Sequence, residues 1–416
     1  LKQENIGFGG NWSAEWNSVL STELNLYYSQ YNVYAIDYKL ETNQQLNQEN
    51  EVIDTGLKLK STYILNDHLK LLNGYQFTEV GILNGTEVSK PEFSRTKKDV
   101  LLNHAIFNEV EYHDSSLFIR AGIRSNYFQK FEKFLVEPRL NVRYKWSNGF
   151  AMKLQGEFKN QSATQIIDFQ YDFLGVENRR WTLANEESIP ISESKQVSFG
   201  VSYNKNDFII DIEGFYKVVD GITVPNQGFY NNFQFINAIG EYNVKGVELL
   251  INKSTNKYGA WLSYTYSINN YKFRTLTPSV FPNNLDIRHS VSLAFNYDIF
   301  ESLGVSIGGI WRSGQPYTKT IEGNEMVQDG NNTYVNFDSP NSENINDFMR
   351  LDASINYNIN FKNSKLSAKF GVLNLFDREN DINKYYEVNP NDFNTIIENN
   401  NKSLGFTPNL SLRIGF

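Results

Sequence analysis

Asp211 and Glu213 sit two residues apart in a stretch that alternates apolar and polar, so in a strand both carboxylates share one face, as a paired acid and base would. No nucleophile or further base accompanies them, and the pair reads equally as a solvated strand face. The four histidines, His68, His104, His113 and His289, form no ligand-spaced pair. Zero cysteines remove thiolate ligands, thiol nucleophiles and a disulfide-built scaffold. No metal, no cofactor and no enzyme chemistry are therefore expected. Arginine is the more suggestive residue. Arg120, Arg124, Arg139 and Arg143 recur at two- and four-residue spacings around Glu137, and Arg350 opens a similar run beside Asp352. The cluster Arg179, Arg180 and Trp181 combines charge with an aromatic face and could clamp an anionic or aromatic ligand, or pack a loop.

The elements that carry these side chains alternate with period 2. Leu117, Ile119, Ala121 and Ile123 stand against Phe118, Arg120, Gly122 and Arg124; Pro138, Leu140, Val142 and Tyr144 stand against Glu137, Arg139, Asn141 and Arg143. The last residues repeat the pattern, with Leu410, Leu412, Ile414 and Phe416 opposing Ser411, Arg413 and Gly415. Such runs are about 9 to 14 residues with their flanks, the length that a tilted strand needs to cross a bilayer. An Arg on the lipid face near the midplane costs about 2–4 kcal/mol, so the polar phase must face a lumen. The 416 residues carry 15% aromatics, a net charge of −8 and a mean hydropathy of −0.47, and no apolar run suits a transmembrane helix. A barrel has this average, because lumen residues dilute lipid-facing ones and aromatics line both interfaces, where Trp12, Trp16, Trp146 and Trp261 would sit. A soluble sheet could share it. The interspersed, mildly acidic charge argues against nucleic acid.

Short turns near 113–116, 146–149, 204–207, 254–258, 299–303 and 361–365 alternate with long polar connections near 35–49, 81–98, 161–193, 220–240, 271–286, 315–346 and 377–406. The expected fold is all-β: a transmembrane antiparallel up-and-down barrel with short periplasmic turns, long extracellular loops and about 17 strands. First and last strands then run the same way and cannot close antiparallel. Strands are expected to be missing before Leu1.

Three stretches carry a family resemblance. Gly371-Val-Leu-Asn-Leu-Phe-Asp377 resembles the NLFD stretch of TonB-dependent outer-membrane receptors, Asp286-Ile-Arg-His289 their D-x-R-H strand start, and Trp311-Arg-Ser-Gly-Gln-Pro-Tyr-Thr318 their S-G-x-P-Y-T strand exit. Abundant Asn and Tyr-rich strands are similar to members from Bacteroidota. The resemblance implies a 22-stranded barrel in the outer membrane of a Gram-negative bacterium, filled by a plug domain. Residues 1–416 would be its C-terminal portion, without the plug and the first strands, about 5 in number. It also implies import of a scarce nutrient, a ferric siderophore or similar chelate first, driven by the TonB coupling protein. Ligand would bind at the extracellular mouth, where Arg179, Arg180, Trp181, Tyr230, Phe233 and Tyr317 are the candidates, while Arg120, Arg124, Arg139, Arg143 and Arg350 would face the lumen and plug. The implied partners are membrane lipid, the chain's own plug, TonB and a surface lipoprotein subunit. The alternative is a receptor-like barrel serving as a structural or assembly subunit.

Overall fold

The computed structural model describes every residue except 40–42, 168–178, 228–237, 331, 362–363 and 390. Strands β1 (Lys2–Glu15), β2 (Leu20–Lys39), β3 (Gln44–Asn66), β4 (Leu69–Ser89), β5 (Glu92–His113), β6 (Leu117–Phe128), β7 (Lys133–Ser147) and β8 (Phe150–Gln161) open one continuous antiparallel sheet. It continues through Ser192–Lys205, Phe208–Thr223, Ile239–Ser254, Tyr258–Lys272, His289–Phe300, Leu303–Arg312, Phe348–Asn360 and Lys365–Leu373 to the terminal strand, Thr407–Gly415. These are the expected 17 wall strands, and a short arm, Val280–Pro282, brings the sheet to 18. Among the described residues β1 pairs only with β2, and the terminal strand only with Lys365–Leu373, so the wall is an open, curved sheet. Both edge strands run toward the end that carries the short turns.

The registers assign the two faces. Arg124 lies opposite Glu137, Gly122 opposite Arg139, Arg120 opposite Asn141 and Phe118 opposite Arg143, so one face collects the charges. The other face exposes Ile6, Phe8, Ile106, Ile123, Leu140, Phe199, Ile212, Phe295, Ile355, Phe370 and Leu412, an apolar band that water would not tolerate and lipid would. The terminal strand keeps its expected phase, with Arg413 opposite Ser367 and Leu412 opposite Ala368. Close approach explains two glycines on the charged face. A Cβ on Gly74 would lie 2.2 Å from the Leu59 carbonyl oxygen and 2.5 Å from the Phe107 ring, and one on Gly246 2.3 Å from the Tyr266 carbonyl oxygen and 2.8 Å from the Phe215 ring.

Two expectations need correction. Residues 35–49 and 81–98 are largely strand: β2 to β5 run for 20, 23, 21 and 22 residues and rise as a blade beyond the neighbouring β6. Both blade faces are wet at that height, so polar pairs occupy the outer phase, as where Gln30 hydrogen-bonds Glu51 and Asn32 donates to Glu49 at 3.0 Å. The alternation that marks a strand is erased there. The second correction is Trp261. Its register partners, Asn252 and Ala294, share the phase of Glu248, so it stands on the charged face and not in an aromatic girdle.

At the long-connection end, two small apolar cores tie the loops down. One joins Val219, Ile222, Val224, Tyr271, Phe273 and Phe281; the other joins Ile82 and Leu101 of the blade to Phe128, Leu135, Leu183 and Ile191. The second core forms because the hairpin Ala163–Ile167 with Arg179–Leu183 folds back against the blade's inner side.

Candidate functional site

Glu137 is the hub of the charged face. It is 5% exposed, and its Oε2 accepts from Arg139 Nη2 at 2.8 Å, with Arg124 Nε at 3.9 Å. Its Oε1 takes the backbone N–H of Asn160 at 2.9 Å and the Asn160 amide as well. Arg124 also donates to Gln76 and Asn126, each at 3.0 Å, while Arg120 pairs with Glu109. Further along, Lys153 Nζ lies 2.6 Å from Asp211 and 3.7 Å from Glu213, so the paired carboxylates hold a cation between them. Arg350 pairs with Asp352 at 3.1 Å. Arg143 is exposed on the same face, opposite Phe118 and Lys153. All five arginines lie on one face of the wall.

The three motif stretches act at strand ends, where backbone groups leave the ladder and need other partners. Asp286 is 3% exposed; its Oδ1 accepts from Asn269 N at 2.8 Å and its Oδ2 from Arg288, which locks the start of His289–Phe300. His289 stacks among Tyr264, Tyr266 and Trp311 on the lipid-facing side, with its Nδ1 2.9 Å from the Tyr264 hydroxyl. Asn374, 1% exposed at φ 54°, donates to the carbonyls of Arg378 and Leu404 and accepts from Arg378 N, while Asp377 Oδ1 accepts from Phe406 N at 2.7 Å. This turn aims the terminal strand. Asn374→Ala is expected to lower stability by about 2 kcal/mol, because it removes the buried amide that donates to the Arg378 and Leu404 carbonyls and accepts from Arg378 N, and it forces a Cβ residue without that amide into the left-handed region. Urea unfolding in lipid vesicles checks this, and Asn374→Gly, which relieves the φ but not the carbonyls, should recover only part.

The ligand candidates fall into three groups. Trp181 is an anchor: its N–H donates to Asn50 Oδ1 at 2.9 Å, and its carbonyl accepts from Asn50 and Asn84 at 3.3 and 3.2 Å. Its ring packs on the blade core, so of the two readings of this cluster the loop-packing one describes Trp181. Arg180, just before it on the same hairpin, lines an open cleft beside the blade, and Arg179 opens that hairpin strand opposite Ile167. Tyr230 and Phe233 lie outside the described residues. Tyr317 belongs to a separate cluster with the hairpin Asp381–Val388/Ile396–Lys402. Lys384 Nζ sits 5.3 Å from the Tyr317 ring and 5.9 Å from that of Tyr386, and 2.9 Å from Glu398. Burial pushes the Tyr386 hydroxyl up to about 12, and it donates to Glu398 at 3.1 Å. Sequence reading missed Lys384, Tyr386 and Glu398, because only the fold of two distant loops brings them to Tyr317.

An open antiparallel wall with one charged and one apolar face, capped at one end by folded loops, is the architecture of an outer-membrane-type barrel. The family described as "TonB dependent receptor-like, beta-barrel" matches residues 2–375, and the chain belongs to that family. The ferric citrate transporter FecA in its unliganded form superposes with a TM-score of 0.71 at 12% identity, over 99% of this chain and 61% of that one. The ferric yersiniabactin uptake receptor FyuA from Yersinia pestis gives 0.66 at 12% identity, over 100% and 61%, and the FrpB iron transporter from Neisseria meningitidis 0.64 at 13%, over 99% and 62%. At these identities the likeness is one of fold, and the chain spans about 61% of the length of the first two. No curated protein sequence matches it.

Proposed function

We propose that this chain is the wall and outer-loop portion of an outer-membrane receptor that binds a scarce nutrient outside the cell and takes it up with energy from the TonB system. The observation that carries the reading is the polar face, whose charges run from Glu23 through Glu137 and Lys153 to Glu248 and resume at Arg350 and Arg413, within a wall of the receptor family. A lipid-filled or collapsed interior would not hold it; a polar plug does. The plug and further strands, an odd number because both edge strands run alike, would complete the barrel in the whole protein. Iron chelates are the favoured cargo, since the similar folds include a ferric citrate transporter and a ferric yersiniabactin receptor. The protein works by transport, not by catalysis, and the asparagine- and tyrosine-rich sequence suits a Bacteroidota host.

Uptake of radiolabelled ferric citrate and of ferric siderophores, by cells with and without the gene under iron limitation, tests this. Loss of uptake of at least one chelate, also seen when the proton gradient is collapsed, is the expected result. Unchanged uptake of every chelate together with loss of a surface lipoprotein from the membrane would replace it with the assembly-subunit reading.

A further inference from the structure

The inserted hairpin and the turn after it do not close fully on the blade. They leave a cleft of about 430 Å³ against the inner side of β3, β4 and β5, within the size range of small-molecule sites. Its lining is mostly polar, with apolar side chains from Val88, Phe93 and Ile189, and three cationic side chains, Arg95, Lys97 and Arg180, line it with no carboxylate among the described lining residues. Arg180 already has interactions within the fold, which leaves Arg95 and Lys97 as the cations that could serve a ligand. Arg95 is exposed and makes no ion pair among the described residues. Lys97 reaches Asp99 at 3.3 Å, but Lys130 reaches the same carboxylate at 3.5 Å, so one anion serves two lysines and positive charge is left over. Two cations two residues apart on a strand point the same way, and here they share the cleft with Phe93, Val88 and Ile189.

We infer that this cleft is a binding site for a small organic anion with an apolar body, a carboxylate, sulfonate or phosphate ester on a hydrocarbon or aromatic frame. The site lies at the loop end, on the blade and off the barrel axis, so it would hold a ligand before that ligand reaches the lumen. Excess positive charge concentrates an anion at the mouth, and Val88, Phe93 and Ile189 give its apolar body a place to rest. The inference rests on reading these loops as extracellular.

The test uses the full-length receptor in lipid nanodiscs and two probes of one shape, 2-naphthalenesulfonate and the uncharged 2-naphthalenemethanol, titrated calorimetrically against empty nanodiscs. The sulfonate is expected to bind and the alcohol not, with affinity falling as salt rises. The double variant Arg95→Gln/Lys97→Gln should weaken sulfonate binding by about 10-fold or more, whereas Arg95→Lys/Lys97→Arg should stay within about 3-fold. Because both positions are exposed on the blade, unchanged circular dichroism should accompany the loss. Equal binding of the two probes, or equal sulfonate affinity in wild type and the Gln variant, would overturn the site. Chelate uptake separates it from the uptake reading: no uptake with charge-dependent sulfonate binding sinks the latter alone, and normal uptake with charge-independent binding sinks the cleft alone.

Discussion

Glu137→Ala is expected to destabilise the wall by about 3 kcal/mol, the low end of the cost of breaking a buried ion pair, because the lumen admits some water. The loss is not that of one salt bridge. Removing the carboxylate leaves the Asn160 N–H and amide without their acceptor and takes from Arg124, whose side chain is 19% exposed, its nearest anion. Two guanidinium groups would then face each other across β6 and β7 with nothing between them. Glu137→Gln keeps an acceptor for Asn160 and should cost about half as much. Arg139→Ala should cost less still, since the Arg139 side chain is 42% exposed and water can replace its half of the pair. Urea unfolding of the three variants in vesicles gives the order, and a Glu137→Ala change below about 0.5 kcal/mol would contradict the hub assignment.

Gly314→Val should be the most damaging single change in the outer loops. Even a Cβ there would lie 1.6 Å from the Ile345 carbonyl oxygen, so the segments 313–318 and 343–347 must part. That separation breaks the Gly314 N–H bond to Asp347, the Ile345 N–H bond to the Gln315 carbonyl and the ladder between Pro316–Tyr317 and Glu343–Asn344. Overpacking of this kind costs about 3 kcal/mol, which corresponds to opening of the loop about 100-fold more often. Tyr317 would leave Lys384, and proteolysis within 315–346 should accelerate by that factor while the wall strands keep their unfolding midpoint. A cleavage rate like wild type would show that the strand exit tolerates a side chain here.

The wall was legible because one face of each strand is apolar and the other polar, so β6, β7 and the terminal strand print their phase in single residues. Legibility ends where that asymmetry ends. On the blade, beyond the apolar band, Gln30, Asn32, Glu49 and Glu51 make a strand look like a loop, and the same erasure hid Arg95 and Lys97 within a stretch read as a connection. Trp261 misled for the opposite reason: an aromatic near a strand end suits a girdle, but only its pairing to Asn252 and Ala294 tells which face it takes. The motif residues Asp286, Asn374 and Gly314 were conspicuous in the sequence, while their work, satisfying backbone groups at strand ends, needed the partners that tertiary structure supplies. Tyr317 illustrates the limit for the site. Its ring could be named as a candidate, yet Lys384, held by Glu398, reaches it only through contacts between loops far apart in sequence.

The absence of native cysteine makes the central claim open to direct measurement. Single cysteines at Ile119, Arg120, Ala121, Gly122 and Ile123, and at Leu410, Ser411, Leu412 and Arg413, can each be spin-labelled in the protein reconstituted in lipid. The account predicts period-2 accessibility in both strands: oxygen dissolved in the bilayer relaxes labels at 119, 121, 123, 410 and 412, and a water-soluble nickel chelate relaxes those at 120, 122, 411 and 413. Accessibility without that period, or with the two sets exchanged, would contradict a wall with lipid on its apolar face and a polar lumen on the other.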